Sequence, residues 1–166
     1  MITENQVTIP MGKPITSPVF VPVEHKSTPK CILDPFMVDG KCYPVTAISF
    51  GNPHGAVFVD DINAVDVEKV GVALGTHALF PKGANIVFVQ VVDYNNIKTR
   101  LWVRGEGETM FSTEAACVAG TAAIMCKEIY VAEINIEMGG NKLVMHWDKS
   151  EHEVKLTGPA GLLLEG

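Results

Sequence analysis

An α+β fold, with a mostly antiparallel curved sheet wrapped around one central buried helix, is what this sequence predicts, and three observations carry the prediction. From Ala115 to Cys126 the chain has no charge and mostly small side chains, and a helix apolar on every face has to be surrounded by protein. On both sides of that segment, runs rich in β-branched residues recur at strand length, separated by Gly, Asn and Pro. Finally, 166 residues with 47% hydrophobic and 19% charged side chains suffice for a core that needs neither disulfide nor metal. A curved sheet closed on one helix is the simplest architecture that meets all three conditions. Residues 1–166 are read as a single domain.

In chain order, Gln6 to Val23 mixes β-branched residues with Pro10, Pro14, Pro18 and Pro22, so strands there are short or lie at an edge. His25 to Gly40 reads as loop. Lys41 to Phe50 alternates as a strand, and Gly51-Asn52-Pro53-His54-Gly55 makes a turn before the apolar run Ala56 to Val59. Asp61 to Asn63 offers caps for a short helix from about Val65 to Gly75, where Val65, Val67, Val70 and Leu74 partly fit helical spacing. Ala84 to Asp93 and Ile97 to Arg104 form a hairpin through Tyr94-Asn95-Asn96. Arg104 to Thr109 reads as a flexible polar stretch before the buried helix. Further strands are expected at Ala132–Met138, Lys142–Trp147, Glu153–Leu156 and, last, Leu162–Leu164.

The formal charge of −6 provides no basic stripe for phosphates, which argues against nucleic acid and anionic membranes as partners. Cys31, Cys42, Cys117 and Cys126 lack metal-site or disulfide spacing and the five histidines are dispersed, so no metal is expected and the cysteines read as buried free thiols. The first residues carry no basic segment followed by an apolar core, and no apolar run is long enough to span a bilayer. A cytoplasmic protein is expected.

Ser112 or Thr113 is placed to cap the buried helix. If that amino end opens to solvent, its unpaired N–H groups and positive dipole end favour a carboxylate. The alternative is that Ser112 and Thr113 only cap, with Glu106 and Glu108 solvated.

Four motifs carry a family resemblance: Gly51-Asn52-Pro53-His54; His77-Ala78-Leu79-Phe80-Pro81 with Asn85; Arg104-Gly105-Glu106-Gly107-Glu108-Thr109; and Thr157-Gly158-Pro159-Ala160. In order and spacing they resemble the carboxyl-terminal half of diaminopimelate epimerases, and the similarity runs from about Val7 to Gly166. The resemblance implies one half of that fold, in which each half wraps a sheet around a central helix. It also implies amino-acid epimerisation without pyridoxal phosphate or any other cofactor, in lysine and cell-wall precursor synthesis. Two cysteines, one from each half, would face each other across the substrate α-carbon, one removing a proton and the other returning one. By the same resemblance, Asn52 and Asn85 hold polar groups of the substrate, His54 lies close to a catalytic cysteine, and Arg104 pairs with a distal carboxylate through its bidentate fork. Without it, Asn52 shapes a turn, Asn85 caps a strand end and Arg104 joins a surface ion pair.

This sequence departs from the family at the site itself. The family's Ala-Cys-Gly-Thr-Gly-Ala loop reads here Phe111-Ser112-Thr113-Glu114-Ala115-Ala116, so Ser112 stands at the position of the second catalytic cysteine. A thiol titrates near about 8.5 and can be tuned lower, whereas an aliphatic hydroxyl needs its own activating base. Cys117 is rotated roughly 140° from Ser112 along a helix and is expected in the core. Glu114 puts a carboxylate where the substrate's own should be received, so the site reads as self-plugged, and Val103 replaces a glutamate that contacts the substrate ammonium in the family. Three readings follow: an epimerase-related half-domain impaired alone, a binding protein for a small amino acid or dicarboxylate, and a subunit completed by a separate amino-terminal half. A homodimer joined at the cleft face is a further expectation.

Overall fold

The computed structural model describes residues 5–24, 30–148 and 153–165. Among them, ten strands form one sheet: β1 (Gln6–Gly12), β2 (Asp34–Val38), β3 (Lys41–Ser49), β4 (Pro53–Phe58), β5 (Asn85–Val91), β6 (Asn96–Val103), β7 (Gly107–Thr109), β8 (Glu133–Met138), β9 (Asn141–Trp147) and β10 (Val154–Pro159). The helices are α1 (Val67–Gly75), α2 (Thr113–Met125) and α3 (Ala160–Glu165). The strand order is β1-β10-β9-β8-β6-β5-β4-β3-β2, with β7 paired to β6. Pairing is antiparallel except at β4/β5 and β6/β8. Parallel neighbours need a long crossover, and α1 and α2 are the helices in those two connections.

Side chains alternate across the sheet, and β5 shows how this sorts two cores. Val87 and Val89 face the cluster that holds α2, while Ile86 and Phe88 face the cluster that holds α1's Val67 and Leu74, together with Trp102. In α2 every residue from Ala115 to Ile124 is buried, as its uncharged sequence predicts. The helix lies so close to β9 that a Cβ on Gly120 would collide with the Met145 thioether. A small residue is required there by space alone.

Several expectations are corrected. Within the predicted loop from His25 to Gly40, Asp34–Val38 is a strand on β3; Phe36 is its one fully buried residue, so the segment carries too little apolar pattern to be read, and residues 25–29 lie outside those described. β4 begins at Pro53, ahead of the expected start at Ala56, because the turn occupies only Gly51 and Asn52. The cap of α1 is Asp66, whose side chain accepts the Lys69 N–H, and not a residue of 61–63. Arg104 to Thr109 contains strand β7. Leu162–Leu164 is helical within α3, in keeping with the helix propensity of leucine. Cys42 is exposed, whereas Cys31 and Cys117 are buried. The expected edge strand is β1, which pairs only with β10 and so tolerates Pro10.

Candidate ligand-binding hollow

Strand register assembles the site. His54 and Asn85 are Cα partners on β4 and β5, and Ile86 pairs with Trp102 on β6. The start of β4, the start of β5 and the end of β6 therefore meet at one end of the sheet, and the loops there bring Asn52, Asn85 and Arg104 together. A hollow of about 500 Å³ opens between them, lined also by Lys82, Gly83 and Val103. The lining contains no acidic side chain.

Arg104 is the best-fixed member. Its backbone N–H donates to Asn85 Oδ1 at 2.9 Å, and its Nη1 donates to the Lys82 carbonyl at 2.5 Å. The guanidinium stem crosses Gly83, where a Cβ would lie 2.7 Å from Arg104 Cδ. Gly83 also has φ +74, so both space and backbone conformation call for glycine. Because Asn85 Oδ1 accepts from the Arg104 backbone, its amide N–H groups are left as donors toward the hollow.

Asn52 links the hollow to the amino end of α2. Its Nδ2 donates to Glu114 Oε1 at 3.3 Å, and the Glu114 carboxylate sits beside Gly51, within 3.7 Å of the point where a Cβ would stand. Gly51 has φ +130, and its N–H donates to Ser49 Oγ at 3.0 Å. Asn52's carbonyl accepts from His54 Nδ1 at 2.8 Å. In the neutral ring this leaves Nε2 as the lone-pair nitrogen, and Nε2 is buried with no partner among the described residues. Burial holds His54 below the ordinary histidine pKa, against the opposing effects of the Asn52 carbonyl and the Glu114 charge.

Ser112 is extended, at φ −152 and ψ 131, and caps α2: its Oγ accepts the Ala115 N–H at 3.2 Å. Among the described residues no imidazole, amine or carboxylate bonds to that oxygen. Cys117 is fully buried in α2, and burial pushes its thiol pKa up, with Glu114 adding to the shift. Both effects disfavour the thiolate form.

Of the residues expected from sequence, Asn52, Asn85 and Arg104 line the hollow. Glu114 and His54 reach it through Asn52, and Ser112 and Thr113 lie outside the lining. Lys82 was missed, because it follows the His77 to Pro81 motif with no pattern of its own. Glu108 is exposed and also pairs with Arg100 at two points, Nε to Oε2 and Nη2 to Oε1, both 2.8 Å, while its N–H donates to Glu68 Oε1 at 2.6 Å. Among the described residues no group of three or more His, Cys, Asp and Glu could hold a metal ion, and no helix is long and apolar enough to cross a membrane.

A sheet wrapped around a helix that carries no charge from Ala115 onward is a fold this chain shares with solved structures. The chain superposes on a hydroxyproline epimerase from Agrobacterium vitis with TM-score 0.61 at 9% identity, covering 93% of this chain and 50% of that one. A phenazine biosynthesis protein of the PhzF family from Bacillus anthracis superposes with TM-score 0.59 at 14% identity, covering 94% and 58%. In sequence, the chain is 36% identical to a diaminopimelate epimerase of Oceanobacillus iheyensis over 98% of its own length and 57% of that protein's. It is 35% identical to one of Acetivibrio thermocellus over 96% and 56%. The family model for diaminopimelate epimerase matches residues 46–163, and the chain belongs to that family. It spans a little over half the length of these relatives.

Proposed function

We propose that this chain is a diaminopimelate epimerase-like half-domain that is impaired in proton transfer on its own and retains a carboxylate-binding hollow. One observation carries the reading: Ser112, at the position of the second catalytic cysteine in the resemblance, spends its oxygen as an N-cap and has no base bonded to it among the described residues. Two-base inversion needs an acid and a base on opposite faces of one carbon. A hydroxyl without an activating partner is neither at neutral pH. Arg104, Lys82, Asn52 and Asn85 still offer donors to a carboxylate.

The test is exchange of the α-proton of diaminopimelate in heavy water, alongside calorimetric titration. Expected are heat of binding for a small acid and no exchange by the protein alone. Exchange by the unmodified chain would overturn the proposal. A second reading has one observation in its favour: the chain spans a little over half the length of the diaminopimelate epimerases it matches. In that reading a second copy, or a separate amino-terminal half with its own cysteine, closes the cleft. Racemisation in a mixture of two chains, and in neither alone, would favour it. A monomer by light scattering at micromolar concentration would count against the homodimer.

A further inference from the structure

Resting on the proposed ligand-binding role, we infer that the hollow selects a small dianion that carries no ammonium group, and that Lys82 supplies its second positive charge. Two residues with cationic side chains, Lys82 and Arg104, and two with amides, Asn52 and Asn85, are among those that line the same space of about 500 Å³, and no acidic residue is. In a chain of net charge −6 such a lining is a local feature that opposes the overall charge. Arg104 Nη1 is bonded to the Lys82 backbone carbonyl, which ties the guanidinium to the loop that carries Lys82. The wall beside Arg104 is Val103, half-buried against the core that holds α2, which offers an ammonium neither counter-charge nor acceptor. Asn85 Oδ1 is occupied by the Arg104 N–H. The Glu114 carboxylate, outside the lining, is bonded to Asn52 Nδ2, so it adds repulsion toward a dianion from the rim. An ammonium brought into this space loses water and meets two like charges.

The experiment is calorimetric titration of the full chain with three probes: pimelate, diaminopimelate and inorganic phosphate. Pimelate and diaminopimelate share one seven-carbon diacid skeleton and differ only in the two amino groups. Pimelate is expected to bind at least about tenfold more tightly than diaminopimelate. Phosphate binding more tightly than pimelate would support the dianion and identify a compact headgroup; the reverse order would support it and identify a dicarboxylate. Lys82→Gln, a change at an exposed side chain, should weaken the better dianion about threefold to tenfold, and added salt should weaken it further. Glu114→Gln should strengthen it. Diaminopimelate binding as tightly as pimelate, or being weakened by Glu114→Gln, would overturn this inference while leaving the proposed ligand-binding role intact. Silence of all three probes would overturn both, and an unchanged affinity in Lys82→Gln would remove Lys82 from the site.

Discussion

Replacing Ser112 by alanine separates a structural hydroxyl from a chemical one. The Oγ accepts the Ala115 N–H at 3.2 Å, longer than the usual 2.9–3.0 Å or so for such a bond, and Ser112 is half-buried. Removing an N-cap oxygen costs about 0.5–2 kcal/mol in general; this length and exposure place Ser112→Ala in the lower half, about 0.5–1 kcal/mol. For a chain of this size that corresponds to a Tm lowered by about 1–4 °C. Ser112→Gly should cost only about a few tenths of a kcal/mol, because glycine leaves the amide open to water. Ser112→Cys should resemble alanine, since a thiol is a weak acceptor. Urea titration followed by circular dichroism gives the three values under one condition. If Ser112→Ala unfolds at the wild-type midpoint with an unchanged slope, the oxygen is not committed to the helix, and the case for an occupied hydroxyl fails.

His54 should make stability depend on pH. Its folded pKa is depressed by burial, while the unfolded value is about 6.5. The neutral ring therefore costs nothing above that value. As pH falls through it, the unfolded chain binds a proton that the fold resists, so stability declines; the difference in urea midpoint between wild type and His54→Gln should shrink on acidification, and a constant difference would refute this. Gly83→Ala should destabilise by about 1–2 kcal/mol, from its positive φ, and push the Arg104 stem aside, which weakened binding of the anionic probe in titration would reveal. Gly120→Ala should lower the urea midpoint, by about 1–2 kcal/mol, because overpacking against Met145 outweighs the gain in helix propensity. A midpoint raised by this change would mean that α2 does not press on β9.

The central helix could be read from the chain because burial on every face leaves a compositional trace: residues 115–126 contain nothing that needs water. The long strands could be read because alternation is a local property, as in Lys41–Phe50 and Lys142–Trp147. β2 and β7 could not. Each owes its existence to a neighbouring strand's unpaired backbone groups, and backbone pairing has no side-chain signature. The same holds at the hollow. Asn52, Asn85 and Arg104 stood out through motifs, but Lys82 enters because the register of β4, β5 and β6 brings loops distant in sequence to one end of the sheet. Whether Ser112 acts or caps, and whether Glu114 faces a ligand or an asparagine, depends on distances of a few ångströms between separate elements. Such distances follow from packing of the whole chain, and no local run of residues encodes them.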